Sequence, residues 1–130
     1  MGARHVVEAY HNSWTKGKPA EARSYLDNDL HFQGSIDKFR RADDFVKTRT
    51  QIQRMLKGVT PPRNFFSENG SVLLYDCDTM SPAGVIRAAE FFKVENGEIN
   101  EARLFFNGNE LRKLMGSRYP KFVLLSLKMA

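Results

Sequence analysis

Acidic side chains occur in two apolar stretches of this sequence, where each needs a chemical reason. Glu90 stands among alanines and phenylalanines in "AAEFFKVENGEINEARLFF", residues 88–106. A carboxylate in such a strand must pair with a cation, be kept protonated or lie at an edge open to water. Asp76 and Asp78 share one face of a second strand, "LLYDCDTM". If they face the interior with Glu90, like charges in a low dielectric raise at least one pKa, which suits acid and base partners.

The orientation of the second strand decides whether Asp76 and Asp78 can do this chemistry. Side-chain polarity favours the opposite arrangement, with Tyr75 and Cys77 inward and both aspartates in solvent. The sequence leaves the two orientations open, although Asp78 lies near the strand end. Cys77 stands between two acids, and neighbouring negative charge disfavours a thiolate, so packing is its expected role.

Metal and cofactor signatures are absent from the sequence. The three carboxylates could hold a hard cation, which prefers oxygen ligands, but their spacing does not require one. The histidines and the cysteine show no metal-ligand spacing; these residues are His5, His11, His31 and Cys77. Neither a glycine-rich phosphate loop nor a serine-nucleophile elbow is present. We therefore expect no metal and no cofactor.

Length and charge restrict the class of protein. The chain has 130 residues, a formal net charge of +5 and one cysteine. That length suits one domain, residues 1–130, and a single cysteine cannot form an intramolecular disulfide. Much of the positive charge lies between residues 38 and 63, where Asp43 and Asp44 intervene, and we favour a solvated face over nucleic-acid binding there. No apolar run approaches the ~20 residues of a membrane span. We expect a cytoplasmic protein without nucleic-acid or membrane partners.

Periodicity and turn residues divide the chain into helices followed by strands. The spacing predicts a helix over residues 5–15, a short helix from Pro19 to about Leu26 and a longer helix over residues 41–57, with "DLHFQG" as a brief strand. Two Asn-Gly turns then join apolar runs, which indicates hairpins. This order predicts an α+β domain with helices on one face of a curved sheet. A closing helix, "NGNELRKLM", and an apolar tail, residues 117–130, follow; we expect the tail to add a strand or a dimer contact.

The length of the turn at Asn96-Gly97 decides which residue faces Glu90. A two-residue loop pairs Glu90 with Arg103 in an ion pair, whereas a three-residue loop with a bulge at Gly97 pairs it with Ala102. The second register separates apolar from charged side chains more cleanly, and a one-residue slip is costly wherever a face is buried. We favour the second register, which leaves Glu90 in an apolar surface without a built-in cation.

From residue 6 to about residue 115 the sequence resembles the nuclear transport factor 2-like superfamily, and within it the SnoaL-like polyketide cyclases and ketosteroid isomerases. "AYHNSWTKGKPAEARSYLDNDLHFQG" matches the opening helix, helix and short strand, and "AAEFFKVENGEINEARLFFN" matches the late hairpin. The resemblance implies a cone-shaped α+β half-barrel. In it a curved, mostly antiparallel sheet wraps around the N-terminal helices and leaves a deep apolar pocket.

The same resemblance implies roles for individual residues. Glu90 matches the isomerases' protonated pocket acid, and Tyr10 matches their oxyanion-hole tyrosine. In ketosteroid isomerase such a neutral carboxylic acid donates a hydrogen bond to an enolate-like oxygen. Gly34, however, stands where the isomerases' general-base aspartate is expected. Leu104 stands where limonene-epoxide-hydrolase-like members carry an aspartate.

A base is therefore missing at the matched positions, and enolisation needs one as well as oxyanion donors. Asp37, Asp76 or Asp78 would have to supply it. The expected pocket lining comprises Trp14, Phe32, Leu74, Asp78, Ala88, Phe92, Ala102, Leu104 and Phe106. Two functions remain open. One is an isomerase or cyclase for an apolar, carbonyl-bearing substrate, with Tyr10 and Glu90 as donors; the other is a non-catalytic ligand-binding or dimerisation module.

The other sheet face is expected to carry a homodimer contact. In the favoured register it collects Arg87, Lys93, Glu101, Arg103 and Phe105. Mixed charge around apolar residues suits an isologous interface between two copies of one chain. The expected partners are thus a small apolar ligand and a second copy of the chain.

Overall fold

The computed structural model of the chain describes residues 2–35, 37–80 and 84–107. Within these ranges the helices are α1 (Ala3–Thr15), α2 (Pro19–Arg23) and α3 (Ala42–Gln53). The strands are β1 (Leu26–Gln33), β2 (Lys38–Phe39), β3 (Leu56–Val59), β4 (Arg63–Phe66), β5 (Gly70–Thr79), β6 (Val85–Glu95) and β7 (Glu98–Phe105). Nearly all of the expected closing helix, and the tail at residues 117–130, lie outside the described residues.

The strands form one curved sheet in the order β2, β1, β7, β6, β5, β3, with β4 also paired to β5. The pairing is antiparallel except between β1 and β7, which run parallel. The helices cover one face, here called the inner face, and the opposite face is called the outer face. The predicted α+β architecture, with a mostly antiparallel curved sheet and N-terminal helices, is confirmed.

α1 is held to the sheet by an apolar stripe. Val6, Tyr10 and Trp14 recur every fourth residue, and all three are buried. The helix ends just before Gly17, whose φ of +73° is the left-handed conformation that suits glycine after a helix. None of the helices in the described ranges is long and apolar enough to cross a bilayer.

α3 ends earlier than the sequence predicts. The periodicity indicates a helix up to residue 57, whereas α3 ends at Gln53 and Leu56–Val59 form β3. Leu56 pairs with Thr79 of β5. Tertiary pairing with the sheet thus overrides a local helical pattern, whose propensity is worth only a few tenths of a kcal/mol per residue.

The turn of the β6–β7 hairpin differs from the favoured prediction. Asn96 and Gly97 form a two-residue loop with φ values of 53° and 75°, and Glu95 pairs with Glu98. Two consecutive positive φ values are those of a type I′ turn, for which Asn-Gly is a preferred sequence. The predicted bulge at Gly97 is therefore wrong.

A bulge occurs further along β7 instead. Val94 pairs with Ile99 and Lys93 with Glu101, so Asn100 is the extra residue. This one-residue shift returns the apolar side chains of β7 to the inner face. Glu90 consequently lies opposite Leu104, not opposite Ala102 or Arg103. The predicted sorting of apolar and charged side chains holds, although its cause is a bulge at another position.

Candidate functional site

Glu90 lies on the inner face of β6 and is 0% exposed. Both of its carboxylate oxygens accept hydrogen bonds from Arg49 of α3, Oε1 from Nη1 at 3.0 Å and Oε2 from Nη2 at 2.5 Å. The Tyr75 hydroxyl of β5 donates to Oε1 at 2.9 Å. We call these three side chains the Arg49–Glu90–Tyr75 cluster. The prediction that Glu90 lacks a cation is wrong, because α3 supplies one.

Burial and pairing act in opposite directions on this cluster. Burial lowers the pKa of Arg49, but the Glu90 carboxylate, Tyr10 and Tyr75 together outweigh it, so the pKa of Arg49 lies well above its ordinary value. Burial first, and the Glu90 charge second, raise the pKa of Tyr75 well above 10.0. The phenol therefore remains a neutral donor. The arrangement is a bidentate, charge-assisted ion pair with one additional hydrogen bond.

Aromatic rings enclose the guanidinium group of Arg49. Its Cζ lies 4.8 Å from the ring centroid of Trp14 and 4.7 Å from that of Phe45. The ring of Phe32 is slightly further away, at 5.9 Å. A planar guanidinium can stack on aromatic faces while its edge binds a carboxylate, which a lysine ammonium cannot do. The site thus requires arginine specifically.

Sequence reasoning missed Arg49. It lies four residues after Phe45 on the buried side of α3, and this helical spacing is the one local signal that could have indicated an inward position. Arg49 and Glu90 are 41 residues apart. Nothing in the strand pattern specifies which element brings the cation, so the pair depends on how α3 docks on the sheet.

An apolar cavity, here called the sheet-side cavity, lies between α3 and the inner faces of β5, β6 and β7. Its volume is about 60 Å³, and its accessible surface is formed by apolar atoms. Arg49 and Tyr75 contribute to its wall. Four of the predicted lining residues also line it, namely Trp14, Ala88, Leu104 and Phe106. Cys77 lines it as well, and burial raises the pKa of its thiol to about 11, which fits packing better than nucleophilic attack.

The other predicted lining residues do not border this cavity. Phe32, Phe92 and Ala102 are buried in the main core. Leu74 lies on the outer face and is exposed, so its predicted place in a pocket is wrong. It precedes Tyr75 in β5, and successive strand residues point to opposite faces.

Asp76 and Asp78 lie on the outer face together with Leu74. Along β5 the buried residues alternate with them, and Tyr75 is one of the inward side chains. Asp76 stands opposite Arg87 of β6, with 3.6 Å between Oδ1 and Nε. The interior orientation considered for the two aspartates is wrong. Side-chain polarity indicates the observed one.

Asp37 lies beside Gly34, where the resemblance implies a base. A Cβ atom on Gly34 would lie 2.9 Å from Asp37 Oδ1 and 3.0 Å from Phe32 Cζ. Phe32 points to the inner face, and Gly34 two residues later is expected to share that direction. The Asp37 carboxylate therefore occupies the space that a side chain at position 34 would take. Burial raises the pKa of Asp37, while Arg49 lowers it to a smaller extent.

Tyr10 is buried in α1 against the rings of Phe45 and Phe92, at centroid distances of 6.2 and 5.6 Å. No group in the described ranges accepts a hydrogen bond from its hydroxyl. Burial raises the pKa of Tyr10 well above 10.0, so the hydroxyl is a neutral donor. Glu90 receives its phenolic hydrogen bond from Tyr75 instead.

Comparison with known proteins bears on the fold. No protein-family model and no curated protein matches the chain. A solved protein from Kribbella flavida DSM 17836 is 23% identical with a TM-score of 0.80, over 89% of this chain and 95% of that one. An NTF2-like protein of unknown function from Cytophaga hutchinsonii ATCC 33406 is 18% identical with a TM-score of 0.71, over 83% of this chain and 92% of that one. This chain has the NTF2-like fold.

Other NTF2-like structures include an LEH-like epoxide hydrolase from M. tuberculosis, which is 17% identical with a TM-score of 0.66, over 89% of this chain and 94% of that one. Similarity at this level shows the fold and leaves the chemistry to the residues.

Among the described residues, no group of three His, Cys, Asp or Glu side chains could hold a metal ion. Burial lowers the pKa of His11 to about 4.

Proposed function

We propose that this protein binds a small apolar molecule in the sheet-side cavity without reacting with it. One observation carries the proposal: both oxygens of Glu90 are held by Arg49, and one also by Tyr75. A pocket acid that stabilises an oxyanion must donate a hydrogen bond from its own O–H group. A carboxylate in a bidentate ion pair accepts hydrogen bonds instead. Glu90 and Tyr75 therefore support the cavity wall and offer the ligand no donor.

The size and surface of the cavity indicate the ligand class. About 60 Å³ is less than half of the roughly 150 Å³ of a protein cavity that accommodates benzene. The cavity is apolar and partly open, so it suits a short alkyl group or a ring edge whose remainder extends through the mouth. Apolar cavities of this kind favour apolar ligands over water.

A thermal-shift screen with alkylbenzenes, cyclic ketones and phenols tests the binding function. At ten times its Kd, a ligand should raise the Tm by about 5 °C, because ligand binding stabilises the folded state by mass action. Each hit is then assayed for turnover by NMR of the recovered ligand. The proposal predicts binding and no turnover. A screen in which no apolar compound raises the Tm contradicts it.

Two neighbouring alanines give a matched pair of variants. Ala88 lines the sheet-side cavity, whereas Ala89 lies on the outer face opposite Leu74. Ala88→Leu should fill the cavity and abolish the thermal shift produced by each hit. Ala89→Leu adds the same atoms outside and should leave that shift unchanged.

A second candidate function, proton transfer on a bound carbonyl compound, is favoured by the position of Asp37. Its carboxylate occupies the side-chain space of Gly34 on the inner side, and burial raises its pKa. A carboxylate with a raised pKa is a better general base near neutral pH than an ordinary one. In this candidate function Asp37 removes a proton α to a carbonyl and returns it to another carbon.

Hydrogen–deuterium exchange separates the two functions. If Asp37 acts as a base, ketone hits in heavy water should exchange α-protons at an enzyme-dependent rate, and Asp37→Asn should remove this exchange while ligand binding persists. Asp29→Asn is a matched control, because Asp29 is exposed in β1. Exchange equal to that of the buffer alone leaves the binding function as the better account.

We further propose that the outer face pairs two copies of the chain. Six apolar side chains are cross-strand neighbours there in two adjacent rows: Phe65, Val72 and Phe91, then Leu74, Ala89 and Phe105. Asp76 and Asp78 follow this block at one end beside Arg87, and Lys93 follows it at the other end beside Glu101. A two-fold axis perpendicular to the strands brings the Asp76–Arg87 end of one copy against the Lys93–Glu101 end of its partner, where groups of opposite charge can meet. Exposed apolar patches rimmed by charge are typical of protein interfaces.

Two adjacent phenylalanines test this interface. Phe65 and Phe66 are 55% and 52% exposed, but Phe66 points to the opposite side of β4, where Arg4 stacks on it. Light scattering after gel filtration should give a dimer for the wild type and for Phe66→Glu, and a monomer for Phe65→Glu. A wild-type monomer at about 100 µM, a typical upper limit for weak interfaces, overturns the proposal.

A further inference from the structure

A second cavity lies on the other side of Arg49, between α1, α2 and α3. We call it the helix-side cavity; its volume is about 140 Å³. Tyr10 and Trp14 line it from α1, and Arg49 and Arg54 line it from the C-terminal half of α3 and its cap. Ala22 of α2 closes one side. Arg49 and Trp14 separate this cavity from the sheet-side cavity, because both residues line both spaces.

Two side chains in the deep wall of the helix-side cavity carry unpaired hydrogen-bond donors. The Tyr10 hydroxyl and the Trp14 indole Nε1 are buried, and neither has an acceptor within the described ranges of the chain. Buried polar groups almost always have a partner, because leaving one unpaired forfeits its hydration. An indole N–H and a guanidinium only donate. A ligand group that fits this wall must therefore accept hydrogen bonds.

The charges around the cavity select the kind of acceptor. Its lining contains Arg49 and Arg54 and no acidic residue. Arg49 is paired with Glu90, but Arg54 at the mouth adds a further positive charge. At the Tyr10 hydroxyl the influence of Arg49 exceeds the opposing influence of Glu90. The field inside the cavity thus favours an anion.

We propose that the helix-side cavity binds a small monocarboxylate about as large as a benzene ring with one carboxylate group. A protein cavity of roughly 150 Å³ accommodates benzene, and the apolar side chains of Ala22 and Val46 line this cavity. The Tyr10 hydroxyl and the Trp14 indole are buried in the cavity wall. Small shifts of these two side chains on binding bring both donors within hydrogen-bond distance of the carboxylate. This site is separate from the binding function proposed for the sheet-side cavity and uses different donors.

Isothermal titration of the full chain with benzoate tests the site, and benzyl alcohol is the neutral isostere. Benzoate should bind with a Kd of about a millimolar or lower, as expected for a ligand of this size. It should bind at least tenfold more tightly than benzyl alcohol. Tyr10→Phe should weaken benzoate at least tenfold, since hydrogen bonds to charged groups are the stronger ones. Tyr25→Phe, whose side chain lines neither cavity, should change nothing.

Two further experiments test the charge at the mouth of the helix-side cavity and the folding of the variants. Arg54→Gln should weaken benzoate several-fold, whereas Lys57→Gln, an exposed residue outside the lining, should not. Thermal melts of every variant without ligand confirm folding, and Tyr10→Phe should melt at or above the wild-type temperature. Equal affinity for benzoate and benzyl alcohol, unchanged benzoate affinity in Tyr10→Phe, or no saturable binding below about 10 mM overturns the proposal. Because these ligands and variants differ from those used for the sheet-side cavity, either proposal can fail without the other.

Discussion

Arginine–carboxylate pairs occur on both faces of the sheet, and two of them, Arg49–Glu90 inside and Arg87–Asp76 outside, have opposite environments. On the inner face Arg49 and Glu90 are 5% and 0% exposed, and the closest N–O distance is 2.5 Å. On the outer face Arg87 and Asp76 are 88% and 34% exposed, and the closest distance is 3.6 Å. The two pairs have the same chemistry. Burial decides what each pair contributes to the fold.

Desolvation explains the difference. Removing a carboxylate and a guanidinium from water costs several kcal/mol per ion, and close pairing with good geometry offsets that cost. The inner pair meets the condition through two Arg49 hydrogen bonds and a third from Tyr75. The outer pair keeps its hydration and is screened by salt, so its members are nearly independent. The inner pair therefore links α3 to β6, whereas the outer pair leaves the sheet surface unconstrained.

Breaking the inner pair should give the largest effect. Arg49→Met leaves the Glu90 carboxylate buried without a cation, and we expect the free energy of unfolding to fall by about 3–5 kcal/mol in urea titrations. Arg87→Met on the outer face should change it by less than about 0.5 kcal/mol. The double variant Arg49→Met/Glu90→Leu should recover most of the loss, since well-packed apolar residues can replace a buried pair. A double variant as unstable as Arg49→Met would mean that the arginine acts through its ring contacts.

The inner face should also make the protein sensitive to acid. His11 packs on Tyr75 with 4.7 Å between ring centroids, and burial lowers its pKa from 6.5 to about 4. Below pH 6.5 the unfolded chain binds a proton that folded His11 does not, so stability is full above pH 6.5 and falls as the pH drops towards 4. The loss from this group is about 3 kcal/mol.

Urea titrations between pH 7.5 and pH 4 measure the free energy of unfolding of the wild type and of two histidine variants. His11→Phe keeps a ring against Tyr75 but cannot bind a proton, so its stability should depend less on pH than that of the wild type. His31→Asn is the control, because His31 is exposed in β1. Parallel pH profiles for the wild type and His11→Phe would show that His11 titrates normally in the folded protein.

Two buried tyrosines on the inner face differ in whether their hydroxyl groups have a hydrogen-bond acceptor. Tyr75→Phe removes a hydrogen bond to the Glu90 carboxylate, and we expect a loss of about 2 kcal/mol, as is usual for hydrogen bonds to charged groups. Tyr10→Phe removes a hydroxyl without an acceptor in the described ranges, so its stability should stay within about 0.5 kcal/mol of the wild type. Equal losses in the two variants would indicate that a bound water pairs the Tyr10 hydroxyl.

The sequence predicts the outer face of the sheet better than the inner ion pair. Alternating polarity places Asp76 in solvent, and the Asn96-Gly97 turn correctly joins β6 to β7, because both signals are local. The bulge at Asn100 is not marked by glycine or proline, so the register could not be predicted from the turn alone. Arg49 was missed because it reaches Glu90 through the docking of α3. Local patterns specify faces and turns, whereas the partner of a buried charge depends on tertiary packing.

The smallest expected effect concerns the outer pair. Asp76→Asn removes one charge from a solvated pair, so the monomer should lose less than about 0.5 kcal/mol, and about 1 M NaCl should abolish even that difference. The proposed pairing of two outer faces changes this expectation, because it would exclude water from part of the Asp76 end. The destabilisation caused by Asp76→Asn should then grow with protein concentration in the wild-type background and stay small in the Phe65→Glu background. If the free energy of unfolding lost in Asp76→Asn is independent of protein concentration in both backgrounds, Asp76 lies outside any interface. The two faces then differ only in how far their ion pairs are buried.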